Sequence, residues 1–126
     1  MIEIQSSPLS PNEVIGRAKT AGSGCIVTYV GVIRNNSRGR LVKSVEYRDT
    51  DGKAVEKLAS LAEEAKQKWQ LENVAISHRV GSLNVGDINL VVAIASAHRS
   101  EGLAACQYVI DQFKSRLPTQ KQELYR

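Results

Sequence analysis

The sequence predicts an α+β fold in a single domain over residues 1–126, with a mainly antiparallel sheet and helices packed on one face. The length of 126 residues is that of one ordinary domain. Strand-like and helix-like patterns follow one another in the order β-α-β-β-α-β-β-α-β, so that pairs of strands separate the two long helices. The longest uninterrupted apolar stretch, Leu90 to Ala95, is strand-sized. No membrane span is expected, because such a span needs about 18 apolar residues in a row.

The first third of the chain predicts a short strand, a short helix and a long strand. Residues Ile2 to Gln5 alternate in polarity, as in a short strand. Ser10 followed by Pro11 is typical of a helix start, which indicates a helix from about Pro11 to Lys19. Residues Cys25 to Ile33 are apolar on both faces, which is typical of a central strand.

The remaining two thirds predict strand pairs between two long helices. Apolar residues recur at helical spacing in both predicted helices, and Pro118 ends the second one. The expected elements are a strand over Val42–Arg48, a helix over Lys53–Gln70, a strand over Val74–Val80, a turn over Gly81–Asp87, a strand over Ile88–Ala97, a helix over Ser100–Leu117 and an edge strand over Gln120–Tyr125.

Composition narrows the classes of function. Seventeen basic and 13 acidic residues give a net charge of +4, which fits an anionic ligand, an acidic protein partner or weak nucleic-acid binding. Aromatic residues make up 5%, too few for a protein that stacks single-stranded bases. Cys25 and Cys106 are 81 positions apart with no histidine close by, so we expect no metal site and two packing residues. The N-terminus lacks a signal-peptide pattern, which predicts a cytoplasmic protein with reduced thiols.

Two groups of residues are candidates for chemistry at the ends of the last helix. His98 and Arg99 stand where a buried strand gives way to a helix start, a position that favours an anion. The alternative is that Ser100 caps the helix and that both side chains are merely exposed. Lys114 and Lys121 flank the other end, where two close ammonium groups would lower each other's pKa. The alternative is that the helix dipole attracts lysines there.

Two further features leave their alternatives open. The segment from Arg34 to Arg40 also contains Arg38, and it is either a phosphate-binding loop or a solvated connection. His78 shares a strand face with apolar neighbours, so a core or interface histidine is at least as good an interpretation as a catalytic one.

Several segments together resemble the large, catalytic subunit of molybdopterin synthase, in family order over about residues 20–123. The matching segments are residues 27–35 (VTYVGVIRN), 76–83 (ISHRVGSL), 85–87 (VGD) and 96–100 (SAHRS), together with the ending Lys114, Pro118, Lys121 and Glu123. The chain differs from the family at Thr119-Gln120, where an aromatic pair is usual, and at Gly102-Leu103, where Ala-Phe is usual.

The resemblance implies an α/β hammerhead fold and a sulfurtransferase. The family takes sulfur from the thiocarboxylated C-terminus of a small ubiquitin-like subunit and transfers it to cyclic pyranopterin monophosphate, where two transfers build the molybdopterin dithiolene. A central homodimer with one small subunit at each end forms a heterotetramer. No metal or bound cofactor, no nucleic acid and no membrane takes part. A family member that binds the small subunit or the pterin without turnover is the alternative.

The resemblance also assigns the site residues. Arg34, His98 and Arg99 match the anion-pocket motifs and should hold the substrate phosphate and pterin, with Tyr29 as the aromatic residue near the pocket. Arg38 and Arg40 are possible additional anion contacts.

Lys114 and Lys121 match the two catalytic lysines of the family. Lys114 is expected at the thiocarboxylate end, and Lys121 is expected to give acid/base or charge support. The physical logic agrees, because sulfur transfer from an acyl group develops negative charge that positioned cations stabilise.

Overall fold

The computed structural model describes residues 1–126 and has eight strands and three helices, which confirms the α+β fold. In chain order the elements are β1 (Ile2–Gln5), α1 (Pro11–Ala18), β2 (Cys25–Val32), β3 (Asn36–Ser37), β4 (Arg40–Arg48), α2 (Ala54–Lys68), β5 (Asn73–Arg79), β6 (Gly81–Asn84), β7 (Ile88–Ser96), α3 (Arg99–Ser115) and β8 (Gln120–Tyr125). No helix is long and apolar enough to cross a membrane.

The main sheet has the strand order β1-β5-β7-β2. The β5–β7 and β7–β2 pairs are antiparallel, whereas β1 runs parallel to β5. The prediction that β2 is a central strand is wrong, because β2 is an edge strand with Val30 38% and Val32 49% exposed. Apolar residues on both faces of a strand indicate that both faces have apolar surroundings. They do not indicate whether the strand is hydrogen-bonded to other strands on one edge or on both.

Two layers of helix cover the main sheet. The prediction of helices on one face holds for the long helices α2 and α3, which pack together there, whereas the short helix α1 covers the opposite face. Successive residues of β7 point to opposite faces of the sheet. Val92 and Ile94 face the long helices, and Val91 and Ala93 face α1. The start of α1 is capped as predicted, since Ser10 Oγ accepts a hydrogen bond from the Glu13 backbone N–H (3.3 Å).

A smaller sheet is built around β4. Strands β6 and β8 both pair antiparallel with residues Ser44–Tyr47 of β4, so they lie on opposite edges of that strand. Part of the predicted turn over Gly81–Asp87 is therefore strand β6, and the turn is confined to Val85 and Gly86. The predicted loop over Arg34–Arg40 contains β3 and a hairpin turn at Arg38-Gly39, where both residues have positive φ (53° and 80°).

Candidate functional site

A cleft of about 390 Å³ lies where the main sheet, the smaller sheet and the end of α3 meet. Four of the predicted site residues line it together: Tyr29 from β2, Arg34 just after β2, Lys114 from the last turn of α3, and Lys121 from β8. Lys114 and Lys121 reach the same cleft because α3 ends at Ser115 and the chain after Pro118 runs back along β4 as strand β8. The cleft therefore carries one guanidinium and two ammonium groups.

The two lysines are free to meet an anion. Both side chains are exposed, and neither makes an ion pair within the chain. Lys114 follows the buried Phe113 and so lies off the apolar face of α3, as predicted. Lys121 is paired in register with Tyr47 of β4, which holds it at the wall of the cleft.

Glu123 is a cleft residue for which the sequence predicts no role beyond its place in the family ending. It lines the cleft with Lys121 because alternate residues of β8 point to the same side. Its Oε1 accepts hydrogen bonds from Ser37 Oγ (3.1 Å) and from Tyr125 Oη (3.3 Å). The period-two pattern of the predicted strand over Gln120–Tyr125 was the signal that could have identified it.

The floor of the cleft is formed by Tyr47, Asn89 and Gly31. Asn89 Nδ2 donates to Tyr47 Oη (3.2 Å), and burial raises the pKa of the Tyr47 hydroxyl. A Cβ atom at Gly31 would come within 2.8 Å of Asn89 Oδ1, so a residue without a side chain keeps this floor open.

His98 and Arg99 are not in this cleft. They line a separate depression of about 550 Å³ at the start of α3, together with Cys25 and Leu103. His98 is the N-cap residue and makes no side-chain capping bond, so the interpretation of Ser100 as the cap is wrong. Arg99 and Lys114 are 15 residues apart on α3, which corresponds to about 22 Å at a rise of about 1.5 Å per residue. Within one chain the predicted pocket is therefore divided in two.

Arg38 and Arg40 do not line the cleft either. Both are exposed on the β3–β4 hairpin, Arg38 at its turn. The Arg40 guanidinium stacks over the Tyr125 ring, 3.7 Å from its centroid, which is a cation–π contact.

The histidine and cysteine side chains elsewhere are structural or separate from the cleft. His78 is fully buried beneath the cleft floor, in keeping with the interpretation as a core histidine. Both cysteines are free thiols, and burial raises the pKa of the Cys106 thiol to about 11. Because only the thiolate is reactive, Cys106 is a packing residue, as expected. No cluster of three or more His, Cys, Asp or Glu residues could hold a metal ion.

Comparisons with known proteins agree with the resemblance seen in the sequence. The family model described as MoaE protein matches residues 4–116. The molybdopterin synthase catalytic subunit of Thermoplasma volcanium is 34% identical over 123 residues, which covers 98% of this chain and 90% of the relative. That of Bacillus subtilis is 31% identical over 123 residues, covering 98% and 78%. The crystal structure of molybdopterin synthase from Staphylococcus aureus superposes with a TM-score of 0.92 at 28% identity, covering 99% of this chain and 91% of that one. The chain thus belongs to the MoaE family, the family of molybdopterin synthase catalytic subunits.

Proposed function

We propose that this protein is the sulfur-transferring subunit of a molybdopterin synthase. It takes sulfur from the thiocarboxylated C-terminus of a small ubiquitin-like subunit and transfers it to cyclic pyranopterin monophosphate. The observation that carries the proposal is the cleft in which Lys114, Lys121 and Arg34 come together without an acidic ion-pair partner. An anionic tail and an anionic substrate are the ligands that such a cleft would attract.

The cleft residues have distinct tasks in this proposal. Arg34 binds the substrate phosphate, because a guanidinium donates two parallel hydrogen bonds to it. The tail sulfur forms a bond to a substrate carbon, and the bond between that carbon and an oxygen substituent breaks. Water then attacks the tail acyl carbon, and the bond between that carbon and the transferred sulfur breaks, which leaves the sulfur on the substrate and a carboxylate on the tail. Lys114 and Lys121 stabilise the negative charge that develops on the departing oxygen and on the acyl oxygen in these steps. Sulfur keeps its oxidation state throughout, so no electron donor or acceptor is required.

The small-subunit tail has an edge strand available beside the lysines. Strand β8, which carries Lys121, pairs only with β4, so its other edge is free. An extended peptide can bind such an edge through main-chain hydrogen bonds, as an added strand. The excess of four positive charges on the chain suits a small subunit with an acidic surface.

A second copy of the chain would complete the pocket. His98 and Arg99 are too far from Lys114, about 22 Å along α3, to contact the same small substrate within one chain. Strand β2 connects the two halves: Cys25 lines the depression with His98, and Val32 at its other end lines the cleft. Antiparallel pairing of two β2 edges about a two-fold axis would therefore bring the depression of one copy beside the cleft of the other. Two such pockets, each with one small subunit, account for a heterotetramer.

We expect the protein to work in the cytoplasm. Cys25 and Cys106 are both free, which suits a compartment that keeps thiols reduced.

A reconstitution assay tests the proposal. The purified chain is mixed with a thiocarboxylated small subunit and cyclic pyranopterin monophosphate, and the dithiolene product is followed. Lys114→Ala should abolish product formation. It should leave the fold intact, because this side chain is exposed and makes no ion pair. Lys43→Ala is the matched control, since Lys43 is also an exposed lysine and lies outside the cleft.

The outcomes separate the two candidate functions. Product that depends on Lys114 and not on Lys43 supports sulfur transfer by this cleft. A stable complex with the small subunit, but no product from the unmodified chain, would instead indicate a family member that binds without turnover. Near-normal turnover by Lys114→Ala would remove Lys114 from the mechanism.

A further inference from the structure

We propose that His78 is a positioning residue for the sulfur transfer, acting through its hydrogen bond to Thr119 to hold Lys121 in place opposite Lys114. The proposal rests on the function proposed above and adds a buried residue that contacts no substrate. His78 is on β5 and is fully buried, and Thr119 is 6% exposed, just before β8.

Both ring nitrogens of His78 have a partner, which fixes the tautomer. Nδ1 lies 2.8 Å from the Asn89 backbone oxygen, and Nε2 lies 2.9 Å from Thr119 Oγ1. A carbonyl oxygen can only accept, so Nδ1 carries the proton and donates to Asn89. The neutral Nε2 then has only a lone pair to offer, and the Thr119 hydroxyl donates to it. The imidazole thus joins β7 to the segment that leads into β8.

The contacts of the ring reach the immediate neighbours of both lysines. The ring packs edge-on against Tyr47, with centroids 5.0 Å apart, and against Phe113, with centroids 5.1 Å apart. Phe113 directly precedes Lys114, and Tyr47 is the β4 residue paired with Lys121. A single buried side chain therefore contacts the structural supports on each side of the cleft.

Besides the ion pair of Arg116 with Glu64 and the packing of Leu117 against the core, few contacts hold the connection between the two lysines. The last helical bond runs from the Arg116 N–H to the Gln112 carbonyl oxygen, and the ladder with β4 begins only at Gln120. Residues 117–119 make no backbone–backbone hydrogen bond. Within residues 117–119, the bond from the Thr119 hydroxyl to His78 is therefore the one hydrogen bond that fixes the connection. Pro118 and Thr119 are buried, so water does not replace the hydrogen bond between Thr119 and His78.

Removing the hydroxyl while keeping the shape tests the proposal. Thr119→Val should lower the rate of a single sulfur transfer by about tenfold to a hundredfold, because a displacement near 1 Å at a reacting group has this effect. The affinities for the small subunit and for cyclic pyranopterin monophosphate should change by less than about twofold, since Arg34 and the β8 edge are untouched. Thr119→Ser keeps the hydroxyl and should recover most of the rate.

A matched variant separates positioning from stability. Thr20→Val also removes a threonine hydroxyl bond, that to Glu72 Oε1 (2.9 Å), at a site far from the cleft. It should leave the transfer rate unchanged. All rates are measured well below the melting temperature of each variant, with circular dichroism confirming the fold.

Each result has a defined meaning. No transfer by the unmodified chain overturns the proposed function and, with it, this inference. Transfer by the unmodified chain and by Thr119→Val at equal rates overturns this inference alone, as does failure of Thr119→Ser to recover the rate. Nitrogen-15 NMR of the unmodified chain adds a measurement that needs no variant: His78 should be protonated at Nδ1, and protonation at Nε2 alone would contradict the proposed bond.

Discussion

His78 and His98 are the two histidines of the chain, and they lie in opposite environments. His78 is fully buried with both nitrogens bonded, whereas His98 is exposed at the start of α3. Burial lowers the pKa of His78 below its usual value of 6.5, and the bond to Asn89 and the Asp49 carboxylate partly oppose this shift. The ring is therefore neutral at physiological pH, so His78 supports structure and positions the cleft rather than carrying charge.

The lowered pKa of His78 predicts that the protein loses stability as the pH falls below about 6.5. The unfolded chain takes up a proton on this histidine near its usual pKa, whereas the native protein resists protonation. Below that pH the unfolded state therefore binds more protons, and the free energy of unfolding decreases with falling pH. Urea unfolding at steps from pH 7.5 to 5.5 measures the slope, a range that lies above the titration of ordinary carboxylates.

Two histidine variants test whether His78 causes this dependence of the free energy of unfolding on pH. His98→Gln should retain it, because His98 is exposed and hydrogen-bonded to nothing through its ring. His78→Gln should be less stable at pH 7.5 and should have a flatter dependence on pH. An unchanged slope in His78→Gln would mean that other groups cause the acid sensitivity.

Part of the cleft could be predicted from the sequence. Lys114, Lys121 and Arg34 are candidates from their chemistry and receive their roles from the family motifs, whereas Tyr29 is identified by the resemblance alone. All four residues line one cleft. The roles of Tyr47 and Glu123 depend on the pairing of β4 with β8, residues about 75 positions apart in the chain. No local pattern encodes which two strands become neighbours. The period-two pattern of the last strand places Glu123 on the same side as Lys121, but the position of Tyr47 in the cleft is seen only in the structure.

At the scale of whole elements, the helices were easier to predict than the short strands. Helices α2 and α3 satisfy their backbone hydrogen bonds internally, and their observed bounds lie within two residues of the predicted ones. Strands β3 and β6 have two and four residues and exist because β4 pairs with them. The bounds of strand β2 agree with the prediction to within one residue, but its predicted central position is wrong, since its outer edge is unpaired.

The outer edge of β2 is unpaired, and two copies of the chain are proposed to associate through it. A charged residue at this edge should therefore prevent self-association. Val30→Glu places a carboxylate on the edge strand, where two copies would pair antiparallel and bring the charges close together. We expect a dimer for the unmodified chain and a monomer for this variant, measured by sedimentation velocity. Val30 is 38% exposed in a single chain, so the substitution should leave the fold intact.

Val55→Glu is the matched control for β2. Val55 is 45% exposed on α2, away from the β2 edge, so the same change should leave the dimer unaffected. A dimer that persists in Val30→Glu would mean that another surface joins the copies.

At the scale of the whole molecule, the two clusters of basic residues lie at opposite ends of α3. Lys114, Lys121 and Arg34 line the cleft, and His98 and Arg99 line the depression. In a two-fold dimer each site would combine the cleft of one copy with the depression of the other. Both clusters of one copy would then be needed. Its cleft would form one site with the depression of the second copy, and its depression would form the other site with the cleft of that copy.

This arrangement predicts that two inactive variants restore activity when they form a mixed dimer. Lys114→Ala lacks a functional cleft, and Arg99→Ala lacks a functional depression, so each should be inactive or severely impaired alone. In a mixed dimer one site loses both residues, while the other combines the intact Lys114 of one copy with the intact Arg99 of the other. Such dimers, isolated through different affinity tags on the two copies, should have about half of the unmodified activity. If each site lay within one chain, both sites of the mixed dimer would stay defective, and activity no higher than that of the single variants would exclude a shared pocket.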